Sequence, residues 1–281
     1  MFNTKLLAAA LALGLSGMAS ASITGGSTGN TEFVFSAFDS SAGKGYTFDL
    51  ADLGFDSIFG SNVRMNSLIG STQTASTIST TLVATPANKI VFDYALPSFD
   101  TFAAGVNLNN LKWNLVSAET SGIFRIVQTV TTAPAAKLTN TAIITAANKF
   151  DQYTGAVNGK GTNVGGVVTD DGFAMTVAAD GAAYAGNLGS SLGGTGYSST
   201  GGLNDRLGLY VVSSTTTTSS TTAGRFAALQ NAAGQEVKAR IYSAADGYHL
   251  QVAVVPEPET YAMLLAGLGL LGFVARRNRR A

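Results

Sequence analysis

The stretch Glu236–Val254 limits the possible folds more than any other part of the chain. Val237, Ala239 and Ile241 alternate with Lys238, Arg240 and Tyr242. After Asp246-Gly247, Tyr248, Leu250, Val252 and Val254 alternate with His249 and Gln251. Successive side chains of a strand point to opposite faces, so each run has one apolar and one polar face. Two such runs around an Asp-Gly turn make an antiparallel hairpin, buried on one side and wet on the other. Upstream, Glu32–Phe38, Tyr46–Leu50, Thr77–Ala84, Lys89–Leu96, Leu111–Ala118, Ile123–Thr131, Phe173–Ala178 and Arg206–Ser213 are also β-branched or aromatic runs. They are bounded by Gly, Ser, Asn or Pro turn residues, as strands are. Phe124, Ile126 and Gln128 alternate with Arg125, Val127 and Thr129, which predicts a half-buried strand. Leu53–Gly70 fits a short helix or a packed loop.

One segment changes period. Leu138, Ala142, Ala146, Phe150 and Tyr153 recur at helical spacing, Thr139 and Asn140 can cap the start, and Gly155 follows the end. The expected body is therefore mainly β: an antiparallel β-sandwich or jelly-roll-like domain with one helix near 138–153. The serine- and threonine-rich run Ser213–Thr222 is open to three readings: a flexible hairpin tip, an extended solvent-facing strand or a linker.

Composition narrows the function. Hydrophobic residues are 46% of the chain, enough for a core, and charged residues only 12%, about half the usual share. Between Ser22 and Val255 there are 12 Lys/Arg against 15 Asp/Glu, a net charge of −3 with no basic stripe. Phosphate neutralisation dominates nucleic-acid affinity, so nucleic acid is a poor partner. With no cysteine there is no disulfide, thiolate nucleophile or cysteine metal site.

Chemistry-bearing motifs are scarce. The only histidine, His249, falls on the wet face of the last strand, and no G-x-S-x-G elbow supplies a serine for it. One histidine without cysteine is too few ligands for zinc. Asp170-Asp171-Gly172 and Asp49-x-x-Asp52 are the groupings open to calcium, though neither has the spacing of a dedicated loop. Carboxylates for glycoside hydrolysis cannot be picked out, because their separation is spatial. Trp113 reads as a core or face-packing residue, with sugar stacking as its alternative. Gly155–Lys160 is one residue short of a phosphate loop. Gly267–Gly272 spells G-x-G-x-x-G, but only nine residues follow it, four of them arginine, so no dinucleotide site can form. No catalytic, cofactor or metal residue is assigned, and the body is read as non-enzymatic.

The two ends carry addresses. Met1–Ala21 has Lys5, the apolar run Leu6–Leu15 and a small-x-small site at Ala19-Ser20-Ala21. These are the three regions of a signal peptide, which uses the Sec translocon and is removed by signal peptidase, here between Ala21 and Ser22. At the other end, Pro256-Glu257-Pro258 precedes the uncharged run Tyr261–Ala275 and the cluster Arg276, Arg277, Arg279 and Arg280. Fifteen residues span roughly 22 Å as a helix, short against a hydrocarbon core of about 30 Å, and the arginines fix the cytoplasmic side. The chain thus divides into a signal helix at 1–21, a β-rich body at 22–255 and a tail with a short transmembrane helix at 256–281.

In its order of features this tail resembles the sorting signal of PEP-CTERM proteins. The resemblance covers only Val255–Ala281. It implies a Gram-negative bacterium that makes an exopolysaccharide, and an exosortase that recognises Pro256, Glu257 and Pro258 and cuts near them. It also implies a final place on the cell surface or in the extracellular matrix. The expected function is that of an exported, non-catalytic surface or matrix protein. A carbohydrate-binding β-sandwich is the alternative, and a secreted carboxylate-dependent hydrolase is third.

Overall fold

The computed structural model describes residues 22–28, 31–54, 90–132, 134–163, 171–229 and 236–254, together with Leu268. The strands are β1 (Glu32–Asp39), β2 (Lys44–Gly54), β3 (Ile90–Ala95), β4 (Lys112–Glu119), β5 (Arg125–Val130), β6 (Phe173–Val177), β7 (Arg206–Ser213), β8 (Arg225–Ala228), β9 (Val237–Ala244) and β10 (Gly247–Val254). They form one sheet in the order β3-β10-β9-β7-β5-β4-β1-β2-β6, with β8 paired to the second half of β7. Every pairing is antiparallel.

A single curled sheet takes the place of the two stacked sheets expected of a sandwich or jelly roll. Neighbouring strands twist relative to each other, and over this many strands the twist curls the sheet into a half-barrel. Phe48 of β2 and Tyr94 of β3 lie near opposite ends of the strand order, yet their ring centroids are 6.4 Å apart.

The half-barrel has two cores, one on each face. The concave one holds Phe33, Phe35, Tyr46, Trp113, Leu209, Ile241 and Leu250 among others. It is plugged by the short helix α1 (Phe99–Ala104). Phe99 is fully buried and meets Tyr46 of β2 at 5.0 Å, Phe35 of β1 at 6.0 Å and Tyr248 of β10 at 5.2 Å. Aromatic edges and faces prefer such tilted contacts, each adding about 0.5–1.5 kcal/mol beyond area burial.

On the convex face lies α2 (Asn140–Val157), which buries Ile143, Ala147, Phe150 and Tyr153 against Val34, Phe38, Val116 and Ile126. The Thr139 side chain caps its start, accepting from the Ala142 amide at 3.2 Å. The helix runs through Gly155 and ends at Asn158, because it continues to bury Val157 and Asn158 binds the backbone of Ile23 on both sides. Cover on both faces also corrects the reading of β5. All six of its residues are buried, so it is not half-wet. β1 is likewise buried along its whole length.

The run Ser213–Thr222 is an ordered structure rather than a free linker. It continues from β7 and folds back over the start of α2. Asn140 Nδ2 donates to Thr215 Oγ1 and Ser220 Oγ, at 2.9 and 3.0 Å, and its Oδ1 accepts from the Thr215 amide at 2.8 Å. The amides of Asn140 and Thr141 donate to the carbonyls of Thr222 and Ser220. Two of the helix's first, otherwise unpaired, amides are thereby satisfied. Asn140→Ala is expected to cost about 1–2 kcal/mol, because it releases several of these bonds at once. Chemical denaturation checks the loss, and faster amide exchange at Thr215 locates it.

Among the described residues no helix is long and apolar enough to cross a membrane. The signal segment, the strand predicted at Thr77–Ala84, residues 55–70 and, apart from Leu268, the run Tyr261–Ala275 lie outside the described residues.

Candidate functional site

The chain reaches its tail from inside the sheet. β10 lies between β9 and β3, with Val254 opposite Val237, and Pro256 comes two residues later. Pro256, Glu257, Pro258, Arg276, Arg277, Arg279, Arg280 and Ala21 lie outside the described residues. Ser22 is described, half-buried at the start of the body.

Beside that exit, the side of the β9–β10 hairpin turned away from the concave core carries a polar network. The alternation that sends Ile241, Leu250 and Val252 inward sends Arg240, Tyr242, His249 and Gln251 outward. β3 adds Asp93, opposite Gln251. Its carboxylate accepts from Tyr242 Oη at 2.7 Å and Gln251 Nε2 at 2.8 Å, and meets His249 Nδ1 at 3.0 Å. Arg240 Nε donates to Gln251 Oε1 at 2.9 Å, and the guanidinium lies 4.9 Å from the centre of the Tyr242 ring. The second histidine nitrogen meets Asp246 Oδ1 in the turn, at 3.1 Å.

His249 therefore sits between two carboxylates, with its side chain 16% exposed. Partial burial alone would lower its pKa, but the hydrogen bonds and charges of Asp93 and Asp246 outweigh that and raise it above 6.5. The proton is bound more tightly in the folded state. The resulting stability is fully present below the unfolded value and is lost as pH rises through the raised folded value. As the only histidine, its imidazole resonance can be assigned without ambiguity. Its titration midpoint is expected above 6.5 and should fall in Asp93→Asn.

Sequence alternation placed His249 on this face. It missed Asp93, which is far away in the chain and arrives only through strand pairing. Both ring nitrogens of His249 are engaged by carboxylates, one from the neighbouring strand and one from the hairpin turn.

The structure also brings the two acidic groupings together. The amide of Asp49 donates to the Gly172 carbonyl at 2.8 Å, and Glu32 joins Asp49 from β1. Glu32 and Asp49 are closed to solvent, at 4% and 0% exposure. Asp170 lies outside the described residues. Among the described residues no three carboxylate or imidazole groups are placed to hold a metal ion. A small cavity of about 110 Å³ lies against α2, where Lys149, Gln152 and Asn187 supply polar groups and Tyr153 and Leu188 the apolar wall. Trp113 is fully buried, its Nε1 donating to the Gly202 carbonyl at 2.6 Å, and so offers no stacking platform.

A model of the PEP-CTERM protein-sorting motif matches residues 254–280, from the last residue of β10 to the arginine cluster. The chain thus carries a PEP-CTERM signal, which marks it as an exosortase target for export and membrane-associated sorting to the cell surface. No curated protein and no solved structure matches the chain.

Proposed function

We propose that the protein is a non-enzymatic surface or matrix component, held at the membrane by its tail until an exosortase cuts near Pro256-Glu257-Pro258. The carrying observation is the motif match at 254–280. The position of the motif supports the cut: β10 is paired up to Val254, and the motif follows it in the chain, so a cut there leaves every paired residue of β10 with the body. On this reading the signal peptide leaves after Ala21, and the body passes to the exopolysaccharide matrix of a Gram-negative cell. Replacing Pro256, Glu257 and Pro258 by alanine should leave the chain uncut and membrane-bound. Fractionation and C-terminal mass spectrometry of the exported protein read both effects, and unchanged processing and delivery would refute the proposal.

The polar face of the last hairpin favours a second reading, in which the body binds matrix carbohydrate. Tyr242 supplies an aromatic ring, and Asp93, Arg240, His249 and Gln251 supply donors and acceptors on one patch. A glycan array probed with the purified protein and with Tyr242→Ala tests it. Binding by neither protein, or equal binding by both, counts against this site.

A further inference from the structure

Glu32 and Asp49 are an unusual pair to find inside a sheet. Asp49 stands opposite Val34, a convex-core residue, and Glu32 lies two residues before Val34, so both carboxyl groups project on the convex side. Glu32 is well supplied with donors. Its Oε2 accepts from the Thr24 amide and its Oε1 from Thr24 Oγ1, both at 2.6 Å. Asp49 has no such help: among the described residues no donor reaches either of its carboxyl oxygens. The two buried side chains are neighbours across the β1–β2 pairing, where Asp49 faces Val34 and Glu32 lies two residues away on the same side.

Two carboxylates this close and this buried cannot both ionise, because each would pay desolvation and repel the other. The donors decide which keeps the charge. With two bonds from Thr24, Glu32 is solvated as an anion; Asp49 can satisfy its own oxygens only by becoming a donor. We propose that Asp49 is protonated at neutral pH and donates to Glu32, forming an acid-held latch that fixes the segment Ile23–Gly26 to the sheet. The segment is tied at Thr24 to Glu32, at Ile23 to Asn158 and at Gly26 to Asp151 Oδ1. Among the described residues, the other charged groups nearby are Asp171 before β6 and Asp151 on α2. Both are acidic, and among the described residues no lysine or arginine forms an ion pair with Glu32 or Asp49.

Burial, and then the charges of Glu32 and Asp171, push the Asp49 pKa from 3.8 up to about 9. The folded state therefore holds a proton that the unfolded state gives up near pH 3.8. The associated stability is complete below that value and drains away as pH rises towards about 9. Above it a second charge forms beside Glu32, and the Thr24 contacts are the ones exposed to the repulsion.

Asp49→Asn tests this, since its amide keeps a donor towards Glu32 without a titrating proton. Melts of the wild type and the variant should match near pH 4. They should then diverge, the wild type losing about tenfold in folding constant per pH unit relative to Asn as pH rises to about 9. Parallel melts across that range overturn the latch. A carbon-13 carboxyl titration of the wild type needs no variant: one aspartate should titrate far above the ordinary range, and all of them titrating below about 5 overturns the proposal. Calcium and a chelator form the third arm. A calcium-induced rise in midpoint at neutral pH, present in the wild type and lost in Asp49→Asn, means that a cation and not a proton neutralises the pair. No response to either supports the proton.

Discussion

Glu119→Ala is expected to destabilise the protein by about 3–5 kcal/mol, among the largest losses a single side chain can cause here. Glu119 ends β4 and stands directly opposite Arg125 at the start of β5. Arg125 Nη1 donates to Glu119 Oε2 at 2.7 Å, with the two side chains only 1% and 4% exposed. Among the described residues, the guanidinium's Nε and Nη2 are buried without hydrogen-bond partners. Burial already pulls the Arg125 pKa from 12.5 down to about 10, against the opposing pull of Glu119. Without the carboxylate the cation would stay desolvated with nothing to offset it. Replacing both residues together, with Glu119→Leu and Arg125→Met, should recover most of the loss, because an apolar pair of similar volume needs no compensation. Urea denaturation of the two single variants and the double variant gives the coupling directly. A loss under 1 kcal/mol for Glu119→Ala would mean that water reaches Arg125.

Trp113→Ala should cost a similar amount, about 3–5 kcal/mol. The ring is fully buried, stands 6.0 Å from Phe35 and donates to the Gly202 carbonyl. Its backbone is also paired to Gly201 in both directions, so the indole is clamped from two sides. Trp113→Phe would keep most of the apolar contact and lose the donor, for about 1–3 kcal/mol. The readout separates two roles. A sugar-stacking tryptophan would lose ligand on substitution while the melting curve held, whereas a core tryptophan moves the melting curve itself. Circular dichroism is the suitable probe, because Trp113 is the only tryptophan and the variants abolish its fluorescence.

The hairpin was legible in the sequence because its face away from the core is left open, so the period-two pattern survives. β1 and β5 were legible as strands but not as interior ones. Their polar residues, Ser36, Arg125 and Gln128, sit under α2 or beside other strands and look wet in the sequence. The helix was read from Leu138, Ala142 and Phe150, but its end was not. Gly155 resembles a stop, and only the burial of Val157 and the clasp of Asn158 on Ile23 explain why the chain coils past it. Ser213–Thr222 is too uniform for any local reading, since its order comes from Asn140 on another element. The sorting signal is contiguous, so it needed no fold to be read. The Asp93–His249 pair joins strands distant in sequence, and the Glu32–Asp49 pair joins consecutive ones; both could be found only once the strand register was known.

The place of β10 has a mechanical consequence. A strand at the rim of a sheet can be peeled away one hydrogen bond at a time, like a zip. β10 is instead bonded to β9 along its whole length and to β3 from His249 to Ala253. A force applied to Val254 along the strand axis would load both ladders together, in shear. Such a load is spread over the centre of the hairpin, where Leu250 and Val252 lock β10 into the concave core.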